Sequence, residues 1–227
     1  MSIVSVKGLT RDYQQGEHTV RALRGVSLDI EPGEFTALMG PSGSGKSTLL
    51  NLIGGLDVPT SGSVMVEGAD LATMTPGERS DLRRDRLGFV FQAYNLIPVL
   101  SAAENAEFVL QLQGRSAADR RKRAHETLAA VGLEGLEDRR PQEMSGGQQQ
   151  RVAVARAIAA DPALVLADEP TANLDSTTSD ELIATMKKLN AELGVTFVFA
   201  THDPKVMEAA QRVIHLVDGQ VAEDIRK

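Results

Sequence analysis

Three features of the sequence predict an α/β fold. Short apolar strands alternate with helical apolar stripes, a glycine-rich turn sits between one strand and the next helix, and the first forty residues are rich in strands. Together they imply a parallel sheet with helices, an antiparallel β-addition at the N-terminus and an inserted helical lobe. Alternation around Ile3–Gly8, then Val20–Ile30 and Phe35–Met39, predicts strands, broken at Pro32-Gly33. GPSGSGKST at 40–48 is the glycine-rich turn, and LLNLIGGL after it is an apolar helix. A turn at Pro59–Gly62 precedes a short strand, a polar stretch and the strand Leu87–Phe91.

Residues 93–160 read as mostly helical. Ser116, with Asp119 three positions on, opens one helix that Gly132 closes, and another runs from Gly147 to Asp161-Pro162. The lobe is expected at about 93–155, with the core formed by 1–92 and 156–227. Leu164–Ala167 is a buried strand ending in Asp168-Glu169. Leu182, Met186, Leu189 and Leu193 make one helical stripe stopped by Gly194. Val195–Thr201 is the next strand, and Val213–Val217 with Val221–Glu223 form a hairpin around Asp218-Gly219.

Composition removes several classes of function. Of 227 residues, 42% are hydrophobic and 24% charged, which is ordinary for a globular chain. Lys plus Arg is 24 against 31 Asp plus Glu, a net charge of −7, which argues against gripping nucleic acid through general positive charge. There is no Cys, so disulfides, zinc–thiolate sites and Cys nucleophiles are excluded, and the four scattered His residues do not suggest a metal cage. The start carries neither a basic leader nor a signal-length apolar core, and no window approaches ~18 uninterrupted apolar residues. The expectation is a soluble chain that reaches a membrane only through a partner. Arg120-Arg121-Lys122-Arg123, with Asp119 and Glu126 nearby, reads as a solvated helix face.

Two constellations carry chemistry. Gly40, Pro41, Ser42, Gly43, Ser44, Gly45, Lys46 and Ser47 fit G-x-x-x-x-G-K-[ST] between a strand and a helix. There, glycines let backbone N–H groups curl around phosphate oxygens, Lys46 reaches the β- and γ-phosphates, and Ser47 ligates Mg²⁺. Asp168, delivered by a buried strand, can hold Mg²⁺ directly or through water, and Glu169 beside it can polarise a water in line with the γ-phosphate. Ser145-Gly146-Gly147-Gln148 opens a second glycine-rich helix start. On physical grounds it is equally a phosphate site or a simple N-cap made by Ser145.

With these motifs in order, the chain resembles the ATPase subunit of an ABC transporter along nearly its whole length. That implies a P-loop NTPase (RecA-like) core with an N-terminal antiparallel β-subdomain and an inserted α-helical signature subdomain. Gly40–Thr48 matches Walker A, and Leu164–Glu169 matches Walker B with its catalytic Glu. Ser145–Gln148 matches the signature, preceded by Met144 where Leu is usual. Gln92, in FVFQAYNL, matches the Q-loop, which implies a place at the Mg²⁺ and in catalysis and a link to the helical lobe. Asn173-Leu174-Asp175 matches the D-loop, and His202 the switch histidine at the γ-phosphate. Tyr13, with Val20 beside it, sits where the family stacks an aromatic ring on adenine; packing is the alternative role for this residue.

The resemblance implies ATP and Mg²⁺ as cofactors, a head-to-tail pair of such chains and an integral-membrane permease as partner. It also implies a cytoplasmic place on the inner face of the plasma membrane. GGLDVPTSG, FQAYNLIPVLSAAEN, SGGQQQRVAVARA and ADEPTANLDS resemble the MacB/LolD group, although Ala172 stands where that group commonly has Gly. A regulatory complex acting on cell-wall enzymes and an amino-acid importer are the alternatives. No nucleic acid is expected: 93–144 is too short for the coiled coil of repair ATPases, and no N-K-x-D guanine reader is present. As the chain stops at Lys227, the permease is expected on a separate chain, docking near Gln92 with Leu96 and Leu100 at the contact.

Overall fold

The computed structural model describes residues 2–16 and 18–227. Strands β1 (Val4–Gln15) and β2 (His18–Ile30) form a long hairpin, and β1 also pairs with β4 (Ser61–Val66), next to the short β5 (Ala69–Asp70). This gives a four-stranded antiparallel sheet in the order β2-β1-β4-β5. The second sheet has six strands: β3 (Phe35–Met39), β6 (Leu87–Phe91), β7 (Leu164–Asp168), β8 (Thr196–Ala200), β9 (Arg212–Val217) and β10 (Gln220–Arg226). Their order is β10-β9-β3-β8-β7-β6, parallel except for the β9–β10 hairpin. No helix among the described residues is long and apolar enough to cross a membrane.

The parallel strands are apolar on both faces because each face has its own core. Leu38, Leu164, Leu166, Val198 and Ala200 face helix α1 (Lys46–Ile53) and the antiparallel sheet, packing with Leu49, Leu50, Val4, Val64 and Val66. Their alternates, Phe35, Ala37, Val165, Ala167, Phe197 and Phe199, face the other way. There they meet α3 (Ala102–Leu112), α4 (Ala117–Ala130), α5 (Gly146–Ala159) and α6 (Ser176–Leu193) in one apolar cluster. A one-residue slip in any of these strands would exchange the two cores, so register is tightly specified.

Several elements differ from the sequence reading. The first strand passes through Gly8 (φ 55°) and, with shifts of register after Val6, stays paired with β4 to Thr10 and with β2 to Gln15. The polar stretch before Leu87 contains α2 (Pro76–Arg86). None of its residues is buried, so it has no apolar period to read; a capping box, Thr75 with Glu78, and Pro76 at the first position start it. The six-residue α7 (Pro204–Ala209) is similarly silent in the pattern. In α6, Leu182, Met186 and Leu189 are buried, but Leu193 is 51% exposed. Ile183 and Asn190 complete that face, and Asn190 holds Gly33 O and Val195 O at 2.9 and 2.8 Å.

Register brings the chemistry together. Phe91 pairs with Asp168, Asp168 with Ala200, and Leu38 with Ala200. The residues that follow these strands, Gln92, Glu169, Thr201-His202 and Gly40, therefore leave the sheet at one edge, where ligands of parallel sheets sit.

Candidate nucleotide site

The loop from Gly40 to Gly45 needs its glycines. A Cβ on Gly40 (φ 150°) would lie 2.1 Å from Leu216 O, and one on Gly45 (φ 100°) would lie 2.7 Å from both Ala22 O and Leu23 Cδ2. Gly45 is the N-cap of α1 and no side chain caps the helix start. The ammonium of Lys46, on a side chain that is 8% exposed, donates to Gly40 O at 2.7 Å and Pro41 O at 3.0 Å. Ser44 Oγ is buried without a hydrogen-bond partner. A cationic head and an uncapped helix start converge on one loop, an arrangement suited to a polyanion.

Ser47, at the second position of α1, donates its hydroxyl to Asp168 Oδ1 at 3.0 Å. Burial raises the pKa of Asp168 above the ordinary carboxylate value, and the charge of Glu169 adds to this; the Ser47 hydroxyl and Lys46 oppose it. Glu169 takes a left-handed backbone at φ 46°, pinned by its N–H on Ala200 O at 2.8 Å. Its carboxylate is clamped by the loop after β8. Thr201 Oγ1 donates to Oε2 at 3.0 Å, and His202 Nδ1 stands 2.8 Å from Oε1. The sheet edge thus brings the glycine-rich loop, the Asp168-Glu169 pair and His202 together.

Other residues singled out by sequence lie around this centre. Gln92 is exposed directly after β6, and its carbonyl accepts from Asn173 Nδ2 at 2.9 Å. Asp175 caps α6, accepting Thr178 N at 3.0 Å and Thr178 Oγ1 at 2.6 Å, and these bonds lower its pKa. Ser145 caps α5 in a closed box. Its hydroxyl accepts from Gln148 N at 3.3 Å, and its own N–H donates to Gln148 Oε1 at 3.0 Å. Gly147 is required by packing, since a Cβ there would meet Thr178 Cγ2 at 2.3 Å.

Tyr13 and Val20 are cross-strand partners in the β1–β2 hairpin, and Val20 is 44% exposed. Two partners of Tyr13 were not evident from sequence. Its hydroxyl donates to Asp57 Oδ2 at 2.7 Å, Arg11 lies 4.5 Å from its ring centroid, and Arg11 is itself paired with Asp57. Thr201 was also missed; its one signal was its place at the end of an apolar strand, beside His202. Leu96 and Leu100, expected at a docking surface, are both half-buried, and Leu96 packs partly against the apolar cluster. An exposed apolar groove lies nearby, lined by Leu56, Phe89, Phe91, Phe108, Val109 and Leu112.

Mg²⁺ can be tested against these donors. Among the described residues no three His, Asp or Glu side chains form a metal cage. Mg²⁺ beside a nucleotide needs only one or two protein oxygens, the phosphates and water supplying the rest. The Ser47 hydroxyl and the Asp168 carboxylate, in contact at the mouth of the loop, fit that requirement.

The model of the ABC transporter family matches residues 23–172. The chain is 46% identical over 223 residues to the macrolide export ATP-binding/permease protein MacB of Syntrophobacter fumaroxidans, covering 97% of this chain and 31% of that one. It thus spans about a third of the length of the MacB relatives it matches. It is 48% identical to the ABC transporter ATP-binding protein MJ0796 of Methanocaldococcus jannaschii, covering 96% and 95% of the two chains. It is 47% identical to the lipoprotein-releasing system ATP-binding protein LolD of Anaeromyxobacter dehalogenans, covering 97% and 93%. The dimeric post-hydrolysis structure of MJ0796 bound to ADP and Pi superposes with a TM-score of 0.91 at 46% identity, covering 98% of each chain. The chain therefore belongs to the ABC transporter family, as an ATP-hydrolysing cassette related to MacB and LolD.

Proposed function

We propose that the chain drives a membrane permease of the MacB/LolD type through ATP-dependent, head-to-tail pairing of two cassettes. The observation that carries this is the clamped Glu169 carboxylate, one residue beyond an Asp168 already joined to Ser47 of the phosphate loop. The backbone N–H groups of Gly40–Thr48 and the Lys46 ammonium bind the phosphates. Lys46 gives up Gly40 O and Pro41 O when the nucleotide enters. Ser47 and Asp168, with Gln92 at the neighbouring strand end, would hold Mg²⁺, which would supply charge neutralisation for the phosphates. Glu169 accepts the proton of the attacking water, while Thr201 and His202 keep its carboxylate aimed. His202, on an exposed side chain, turns its other ring nitrogen toward the γ-phosphate.

Tyr13, with Val20, offers its ring to the base. Ser145–Gln148 and Asp175 of the second copy close over the nucleotide from the far side. The MacB relatives carry ATP-binding and permease names on one longer chain, which supports a permease as the output of the cycle. Its docking element is placed in the apolar groove between Leu56 and Leu112, and this would hold the cassette at the inner face of the membrane.

The test is Glu169→Gln, which retains size and hydrogen bonding and removes the base. ATP binding should persist while turnover falls by about 10²–10⁴-fold. Turnover near the wild-type rate, measured as phosphate release, would transfer the base role to another group and sink the mechanism.

A further inference from the structure

Helix α5 begins at the signature turn and ends against the sheet, and one of its side chains has no role so far. Gln150 is fully buried, although its neighbours Gln149 and Arg151 are only half-buried. Its Nε2 donates to Pro170 O at 2.7 Å and reaches Phe91 O at 3.4 Å. Its Oε1 has no hydrogen-bond partner. A buried acceptor without a partner is costly, so this amide is kept for its two N–H groups. Both carbonyls belong to backbone that carries the reaction. Pro170 follows Glu169, whose φ of 46° an L-residue adopts only under restraint, and Phe91 precedes Gln92.

The same helix restrains the next strained turn. Tyr94 and Asn95 have φ of 59° and 51°, and Arg156 donates to their carbonyls at 2.8 and 2.5 Å. At its start, Gly146 and Gly147 fit against Tyr94 and Thr178 with no room for a Cβ. The helix that starts at the signature is therefore joined to the Gln92 and Glu169 turns by polar contacts as well as by apolar packing.

We propose that Gln150 is a positioning residue for hydrolysis: its amide, on the helix that starts at the signature, fixes the backbone of Glu169 and of Gln92. In the paired cassettes this joins the signature, which faces one nucleotide, to the Glu169 that serves the other. The proposal rests on the reading of Glu169 as the base.

The experiment compares Gln150→Met, similar in length but without a donor, with wild type and with Glu169→Gln. Steady-state hydrolysis, ADP affinity and thermal melting are measured for each. In Gln150→Met, kcat should fall about 10–100-fold, as expected for misplacing a reacting group by a fraction of an ångström to an ångström, with KM and ADP affinity within about twofold of wild type. Gln150→Asn is the second variant. It keeps an amide but stops one methylene short of Pro170 O, so it should fold with a lowered melting temperature, keep its nucleotide affinity and show the same loss of kcat. Wild-type kcat in either folded variant overturns the proposal, as does a fall of kcat and nucleotide affinity together with melting temperature. Normal hydrolysis by Glu169→Gln would instead overturn the base assignment, and the Gln150 proposal with it.

Discussion

Helix α1 starts at Gly45, in the left-handed region and without a side-chain cap, whereas α5 starts at Ser145, in an extended conformation, with a reciprocal box to Gln148. Both turns are rich in glycine, yet the glycines do different work. In the first loop, Gly40 and Gly45 allow a backbone path that comes within 2.1 Å and 2.7 Å of carbonyl oxygens at the places a Cβ would take. In the second, Gly147 lets one helix start approach another, against Thr178. Every α-helix start leaves backbone N–H groups without intrahelical partners. At α1 no side chain caps them and a buried cation stands beside them. At α5 the chain supplies its own acceptor. The first start is left open to an anion, as the proposed phosphate loop requires; the second is complete in one chain and, in the proposed dimer, becomes a phosphate site only when another nucleotide is brought to it.

The sharpest way to break that contrast is to place one lesion in each start. Lys46→Ala removes the phosphate cation and Ser145→Arg blocks the signature, so neither variant alone should occlude ATP. In a head-to-tail mixed dimer one composite site carries both lesions, while the other combines an intact phosphate loop with an intact signature. Mixing should restore trapped nucleotide toward one per heterodimer, measured with permease-containing membranes present. Demonstrated heterodimers that trap none would mean both starts act on one nucleotide within one chain.

A smaller effect should separate the two ends by pH. Burial raises the folded-state pKa of Asp168, so the unfolded chain ionises first as pH climbs. Wild-type stability is therefore lost from the ordinary Asp range upward, through the raised folded value. Asp168→Asn keeps an oxygen for Ser47 and cannot ionise. The nucleotide-free variant should melt above wild type at neutral pH, with the gap closing in acid, while hydrolysis is lost. A gap that does not change with pH would mean that burial of this carboxylate costs the fold nothing.

Much of this was legible in the residues, for identifiable reasons. Strand period, glycine spacing and the Asp168-Glu169 pair each leave a local signature, so the sheet, the phosphate loop and the acidic pair could be placed by number. The sequence also allowed two readings of Ser145, and the geometry shows the cap, Ser145 Oγ accepting from Gln148 N. What stayed hidden depends on long-range contact. Asp57 reaches Tyr13 across 44 positions, Gln150 reaches Phe91 across 59, and Thr201 meets Glu169 across 32. Helix α2 was hidden for the opposite reason: it buries nothing, and its capping box and Pro76 are its marks.

The smallest expected effect isolates the cap itself. Ser145→Ala removes the hydroxyl that accepts Gln148 N, and losing such a cap costs about 0.5–2 kcal/mol. Helix α4 supplies the control, since Ser116 caps it by accepting Asp119 N at 3.2 Å and no nucleotide role falls there. Ser145→Ala and Ser116→Ala should lower denaturant stability by similar amounts, because the two caps share the same chemistry. Only Ser145→Ala should also reduce ATP occlusion, since its hydroxyl has a second acceptor to meet in the closed dimer. Equal occlusion in the two variants would reduce Ser145 to a helix cap, and the contrast between the two starts would end with α1 as the sole phosphate-binding element.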